Sequence, residues 1–256
     1  MRQIDTKLDS SLHWNRSQPC PSRCAISRRP TTFLEQNHLQ GCPTVTGFLE
    51  LLAASPVIAI LRAPDAGRFL AATEVLYQGG IRCVEFTLTT DGAMEATQEI
   101  IASLPDDLLV GVGTVRTEAH VAEAIDAGAD FLVSQVFRRH LVEASAQRGI
   151  PFFPGALTPT EILDAWECTG VPAVKVSPIG PVGGLDYFDN IRGPLPDIPL
   201  MPTGSIQLSE VSDYLDHGAV AVGLSGYLFG DSLLPGGDLE GLAARTEHAV
   251  AAIGPR

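Results

Sequence analysis

Lysine is nearly missing from this chain of 256 residues. Of its 17 basic side chains only Lys7 and Lys175 are lysines, and the rest are arginines. Positive charge as a whole is in deficit: 30 Asp and Glu leave a formal net charge of −13. That balance repels phosphodiester backbones and anionic bilayers, so neither nucleic-acid binding nor membrane docking is expected. No run of about 18 apolar residues occurs, so no transmembrane helix is expected. The first residues lack the apolar stretch of a secretory signal. Cysteines number five, an odd count in a chain too large to need disulfides, which points to a reducing cytoplasm. What the chain does have is 45% hydrophobic residues, enough to fill a substantial core.

The first part of the chain differs from the rest. Residues 1–45 hold six basic and three acidic residues and are rich in Ser, Pro, Gln, Asn and Arg. They show neither helical nor strand periodicity, so residues 1–48 read as a mostly disordered extension and residues 49–256 as one domain. Cys20 and Cys24, followed by His38 and Cys42, loosely follow the spacing of a CCHC zinc site. The segment between them lacks the strand–helix pattern that such modules use as a core, so chance spacing is the stronger reading.

From about residue 50 short β-rich runs alternate with amphipathic helical stretches. The strands read 57–61, 83–88, 108–114, 131–135, 151–155, 173–177, 199–204 and 219–225. Helix starts carry cap signals at Asp91, at Thr117, and at Thr158 with Pro159 and Glu161. Glycines follow the helices at Gly80, Gly128, Gly149 and Gly218. Eight β-then-α units in about 200 residues predict a (β/α)8 TIM barrel. A doubly wound open sheet is the alternative, weakened because no GxGxxG loop follows the first strand. The stretch after Gly183-Gly184, short and flanked by proline, is the weakest unit.

A barrel carries its chemistry at the C-terminal ends of its strands, on inward positions, and strand residues alternate sides. Alternation puts Ile58, Ile60 and Arg62 on one side, and likewise Cys83, Glu85 and Thr87. The same counting pairs Val110, Val112 and Thr114; Ala173, Lys175 and Ser177; Met201 and Thr203; and Ala221, Gly223 and Ser225. Arg62, Glu85, Thr114, Lys175, Thr203 and Ser225 thereby converge on one mouth.

Lys175 is the sharpest of these. Within the apolar run VPAVKVSP an ammonium is costly unless paired, and a neutral amine there attacks a carbonyl to form a Schiff base. Glu85, in an apolar strand, suits a proton shuttle or a salt-bridge partner of Lys175. Arg62 suits a carboxylate. The loops holding Thr203, Gly204 and Ser205, and Gly223 and Ser225, lie where barrels often bind phosphate through backbone N–H groups. No His, Asp and Glu cluster has metal-ligand spacing, and His120, His140, His217 and His248 read as surface residues, so neither metal nor cofactor is expected.

The residues from about Pro56 to Asp231 resemble the 2-keto-3-deoxy-6-phosphogluconate aldolase family, which is similar to 4-hydroxy-2-oxoglutarate aldolase. The pieces that carry the resemblance stand in order: IAILRA (58–63), GGIRCVEFTLTT (79–90), VGVGTV (110–115), DAGADFLVS (126–134), PFFPGALTPTEI (151–162), VKVSP (174–178), RGPLPDIPLMPTGSI (192–206) and GAVAVGLS (218–225). The resemblance implies a cytoplasmic, homotrimeric class I lyase of carbohydrate metabolism, of the Entner–Doudoroff type. It would cleave a 2-keto-3-deoxy sugar acid phosphate to pyruvate and glyceraldehyde 3-phosphate. It implies Lys175 as the Schiff-base lysine, Glu85 as proton shuttle, Thr114 as a substrate-hydroxyl contact and Arg62 as the carboxylate partner. Gly204, Ser205 and Ser225 would bind phosphate, and Thr89, Pro154, Ser177, Thr203 and Gly223 complete the candidate substrate-binding set. Four positions depart from the family pattern: Thr89 for an arginine found in some members, Ser177 for a common Phe, Ser205 for a second Gly, and Gln135 for a common Pro. They leave open 4-hydroxy-2-oxoglutarate cleavage, decarboxylation of a keto acid such as oxaloacetate on the same lysine, and a non-catalytic ligand-binding barrel with a degenerate site.

Overall fold

The computed structural model describes residues 45–254. The expectations for the head, disorder and the Cys20, Cys24, His38 and Cys42 spacing, lie outside the described residues.

Helix α1 (Val45–Ala54) leads into strand β1 (Val57–Leu61) and α2 (Phe69–Gln78). There follow β2 (Cys83–Thr87) with α3 (Ala93–Ser103), β3 (Leu109–Gly113) with α4 (Glu118–Asp126), and β4 (Phe131–Val133) with α5 (Arg139–Gln147). The fifth barrel strand is broken by Pro154 into β5 (Phe152–Phe153) and β6 (Gly155–Ala156), followed by α6 (Pro159–Trp166). The series ends with β7 (Val174–Val176), α7 (Gly184–Arg192), β8 (Leu200–Pro202), α8 (Val211–Asp216), β9 (Val222–Leu224), α9 (Gly226–Phe229) and α10 (Leu239–Ala251).

All pairings are parallel. One sheet runs β5-β4-β3-β2-β1-β9 and the other β6-β7-β8. The Thr203–Gly223 bridge joins β8 to β9, and the chain itself joins β5 to β6, so the eight barrel strands of a (β/α)8 fold come full circle. The unit expected to be weakest forms a nine-residue helix, α7, whose Phe188 packs edge-on against Tyr214 at 5.7 Å.

Two apolar layers result from strand alternation. Between sheet and helices lie residues such as Val57, Leu61, Val84, Phe86, Val174 and Val176. Inside the barrel lie Ile58, Ile60, Cys83, Leu109, Phe131, Val133, Phe153, Ala173, Met201 and Ala221. Phe48 and Leu52 of α1 join this inner set, and the Phe48 ring stands 5.2 Å from that of Phe131 and 5.5 Å from that of Phe153. Helix α1 therefore plugs the N-terminal end of the barrel and runs across the boundary expected at residue 48. Burying a ring of this size is worth about 1.5–3 kcal/mol, which explains why the segment is held.

Two local readings need correction. Val110 and Val112 of β3 face the helices, not the interior. The interior positions are Leu109, Gly111 and Gly113: a Cβ on Gly111 would strike the Phe131 ring, and one on Gly113 the Glu85 carboxylate. The barrel is full at those two points, so only glycine fits. At α3 the N-cap is Gly92, with φ 74° and no side-chain cap, so Asp91 does not cap it; Asp91 instead pairs with Asp65 through a backbone bridge. The other two caps form. Thr117 accepts from the His120 N–H, and Thr158 and Glu161 make a reciprocal capping box. The Glu161 carboxylate accepts the backbone N–H groups of Thr158 and Leu157, which hold its pKa below the usual value.

Candidate active site

Lys175 lies in the middle of β7, its backbone N–H bonded to the Pro154 carbonyl at 3.0 Å and its Cα in register with Gly155 and Met201. Val174 and Val176 face the helix layer, so strand alternation sends the lysine inward. Glu85 reaches the same point from β2. Its Oε2 is 3.7 Å from Lys175 Nζ, and the two side chains are 1% and 5% exposed. That distance makes an ion pair but is too long for a hydrogen bond. Both Glu85 oxygens are buried with no hydrogen-bond partner among the described residues. An unsatisfied buried carboxylate is expensive and is kept where its chemistry is used. Two residues before Glu85 on the same side of β2, burial, with the nearby Asp130 and Glu85 charges, pushes the Cys83 thiol well above its ordinary pKa.

Above Lys175 opens a cavity of about 500 Å³. Its apolar side comes from β1 and from the segment after β9, with Ile60, Phe229, Leu233 and Leu234. Its polar side comes from β4, β7 and β8, with Gln135, Lys175, Ser177 and Thr203. Arg62, exposed at the end of β1, stands at its edge and makes no ion pair among the described residues. Gly204 and Ser225 close the remaining rim. Thr203 lines this space, but its hydroxyl is turned toward Gly223, buried and without a hydrogen-bond partner among the described residues.

The segment after β9 is pinned from behind. Arg245 of α10 donates to the Leu228 and Phe229 carbonyls at 2.6 and 2.9 Å and to Ser232 Oγ at 2.8 Å. Arg68 donates to the carbonyls of Ser232 and Gly237. At the β1 and β2 ends, Thr87 Oγ1 donates to the Leu61 carbonyl and Thr90 Oγ1 accepts from the Ala63 N–H. These bonds fix the strand ends that carry Arg62 and Glu85.

Of the sequence-predicted residues, the fold brings Lys175, Glu85, Arg62, Ser177, Thr203, Gly204 and Ser225 together. Five others stand apart from the cavity lining. Thr89 is exposed in the turn after β2 and donates to Thr87 Oγ1. Thr114, half-buried after β3, shares the phase of Val110 and Val112, which faces the helices, and takes the left-handed conformation with φ 64° where the strand ends. Pro154 contributes its carbonyl to Lys175 and breaks the fifth strand. Gly223 sits behind Thr203, where a Cβ would crowd the threonine hydroxyl. Ser205 has φ 58° and lines a neighbouring depression with Gly184, Glu210 and Tyr214. A left-handed serine costs about 1–2 kcal/mol, so the loop keeps its backbone shape at the expense of strain.

Gln135 is the site residue that sequence reasoning did not place. Its Nε2 donates to the Ser177 carbonyl at 3.3 Å and to Ser177 Oγ at 3.2 Å across the polar side of the cavity. Phe131, Val133 and Gln135 share one phase within the strand read at 131–135, so phasing that strand like the others would have found it. Among the described residues no group of three His, Cys, Asp or Glu side chains is arranged to hold a metal ion, and no helix is long and apolar enough to cross a membrane.

A (β/α)8 barrel with a buried lysine–carboxylate pair beneath a mouth cavity is a site built for carbonyl chemistry through an amine. The comparisons make the class particular. The family model "KDPG and KHG aldolase" matches residues 49–244. The 2-dehydro-3-deoxy-phosphogluconate aldolase of Dickeya dadantii is 32% identical over 79% of this chain and 94% of its own length. The protein of the same name from Treponema pallidum is 31% identical over 82% and 98%. Among solved structures, the KDPG aldolase of Legionella pneumophila, with pyruvate captured as a covalent carbinolamine, is 29% identical, with a TM-score of 0.70 over 80% of this chain and 97% of that one. The chain belongs to the KDPG and KHG aldolase family.

Proposed function

We propose that this chain is a cytoplasmic class I aldolase that cleaves a 2-keto-3-deoxy sugar acid phosphate of the 6-phosphogluconate type to pyruvate and glyceraldehyde 3-phosphate, the cleavage step of an Entner–Doudoroff type of sugar-acid breakdown. The observation that carries the reading is Lys175 at the floor of the mouth cavity with Glu85 buried 3.7 Å behind its amine. Glu85 takes the proton of the Lys175 ammonium, the freed amine attacks the C2 ketone, and Glu85 returns that proton to the carbinolamine hydroxyl, which leaves as water and gives the iminium. Glu85 takes the proton from the C4 hydroxyl as the C3–C4 bond breaks. The bonding electrons flow into the iminium, and the aldehyde departs. Glu85 returns a proton to C3 of the enamine, and water hydrolyses the pyruvate iminium to free the lysine. Arg62 holds the substrate carboxylate, and Thr203 forms part of the wall beside it. Backbone groups at Gly204 and Ser225, on the cavity rim, hold the distal phosphate. Thr114, Thr89 and Pro154 support the walls from outside the cavity.

The family resemblance supports a homotrimer, and Val136 and Leu163, 49% and 42% exposed, offer apolar surface for a second copy. The buried free thiol of Cys83 fits a reducing compartment.

A lactate-dehydrogenase-coupled assay tests the substrate. Cleavage of 2-dehydro-3-deoxy-6-phosphogluconate, inhibited competitively by inorganic phosphate, is the expected result. Equal cleavage of 4-hydroxy-2-oxoglutarate with no phosphate inhibition would remove the phosphate from the proposal. Pyruvate release from neither of these, nor from oxaloacetate, would leave a non-catalytic barrel.

A further inference from the structure

We propose that Gln135 and Ser177 form a two-residue reader of the hydroxyl beside the aldehyde carbon of the substrate, so that the site selects α-hydroxyaldehydes over their deoxy analogues. The inference rests on the aldolase reading and adds to it the determinant for the half of the substrate that leaves.

The position follows from β7. Lys175 and Ser177 are two residues apart, so their side chains share a side, with Ser177 about 6.6 Å nearer the mouth. A substrate bonded to Lys175 through C2 and running toward the mouth brings its departing carbons past Ser177. Ser177 is only 8% exposed, and Gln135 reaches it from the end of β4, across the strand break at Pro154. Both line the cavity on its polar side, opposite Phe229, Leu233 and Leu234.

The hydrogen-bond inventory leaves capacity to spare. Gln135 Nε2 is engaged with the Ser177 carbonyl at 3.3 Å and with Ser177 Oγ at 3.2 Å. The Ser177 hydroxyl proton has one acceptor, Gln135 Oε1, at the long distance of 3.5 Å. A serine hydroxyl offers one donor and two acceptor sites, and an amide oxygen accepts twice. The pair therefore presents an underused donor, Ser177 O–H, next to an underused acceptor, Gln135 Oε1. A ligand hydroxyl, itself donor and acceptor, completes both at once. A methylene in the same place satisfies neither and leaves the buried serine proton poorly paired, which is how a polar pocket rejects a deoxy analogue.

The experiment runs the reaction in the direction of synthesis, with pyruvate and either glyceraldehyde 3-phosphate or 3-oxopropyl phosphate, which lacks the 2-hydroxyl. The readout is the ratio of kcat/KM for the two aldehydes in the wild type, Ser177→Ala and Gln135→Leu. The expected result is a wild-type preference for the hydroxylated aldehyde that falls about 5- to 10-fold in each variant, the value of one net hydrogen bond. Borohydride in the presence of pyruvate still traps an adduct on Lys175 in each variant, which shows that fold and lysine survive. An unchanged ratio in both variants, with the adduct still formed, would overturn the reader and leave the aldolase standing. No adduct in the wild type would overturn the aldolase reading and this inference with it.

Discussion

Two alanine substitutions on one strand separate the barrel's packing from its chemistry. Gly111 and Gly113 both face the interior from β3. A Cβ on Gly111 would come within 2.6 Å of Phe131 Cδ2, and one on Gly113 within 2.7 Å of Glu85 Cγ. Both intrusions are deep, the one on the Glu85 carboxylate the deeper, and neither glycine has a positive φ, so backbone strain plays no part. Overpacking a full interior costs about 1–3 kcal/mol. At about 2–4 °C per kcal/mol for a domain of this size, both variants should melt about 2–12 °C lower. Their activities should diverge. Gly111→Ala pushes on a phenylalanine in the plug beneath the site, whereas Gly113→Ala moves the carboxylate away from Lys175. A misplacement of about 1 Å in a reacting group costs about 100-fold, equivalent to about 2.7 kcal/mol. Gly113→Ala should therefore lose about 100-fold in kcat, and Gly111→Ala should keep most of it. The assays are thermal melting by circular dichroism and coupled pyruvate release. Full kcat in Gly113→Ala, or an equal loss in Gly111→Ala, would refute the placement of Glu85 as the group that moves protons.

Two further predictions follow from backbone and electrostatics. Ser205→Gly relieves a left-handed serine worth about 1–2 kcal/mol and loses about 0.5–1 kcal/mol to chain entropy, so the variant should be more stable by roughly 0.5–1 kcal/mol in denaturant unfolding; a destabilised variant would show that the φ of 58° is not strained. Asp130 Oδ2 accepts the Val110 N–H at 2.8 Å, yet burial raises its pKa above 3.8. A raised carboxylate pKa favours the protonated fold, so its penalty is full above the folded pKa and absent below the unfolded one. Asp130→Asn, which retains an acceptor, should raise the melting temperature near neutral pH and lose that gain as pH falls below about 3.8; a gain independent of pH would contradict the assignment.

How much of this was readable in the sequence depends on which side of a strand carried side chains. Strands β2 and β7 set a charged residue between apolar neighbours, and β1 and β9 are followed directly by a polar one, so Glu85, Lys175, Arg62 and Ser225 could be phased by counting, and each arrives where counting puts it. Strand β3 misled because its interior positions above Leu109 are glycines. With Gly111 and Gly113 contributing no side chain, Val110 and Val112 look like the inward set, although they face the helices. The information that forces the glycines lies in Phe131 and Glu85, on other strands, and is invisible locally. Phe48 was missed for a related reason: its value lies in a ring cluster with Phe131 and Phe153, more than 80 residues away in sequence. Ser205 is the opposite case. Its identity alone announced strain if the position required a positive φ, and the backbone has that φ.

The scarcity of lysine makes the central claim directly measurable. Lys175 is the only lysine in the barrel, and Lys7 is the only other in the chain. Sodium borohydride added in the presence of pyruvate, followed by peptide mass mapping, should leave a reduced pyruvyl adduct on Lys175, abolish aldol activity in step with labelling, and spare Lys7. A chain that stays unlabelled at Lys175 under these conditions would contradict the Schiff-base account.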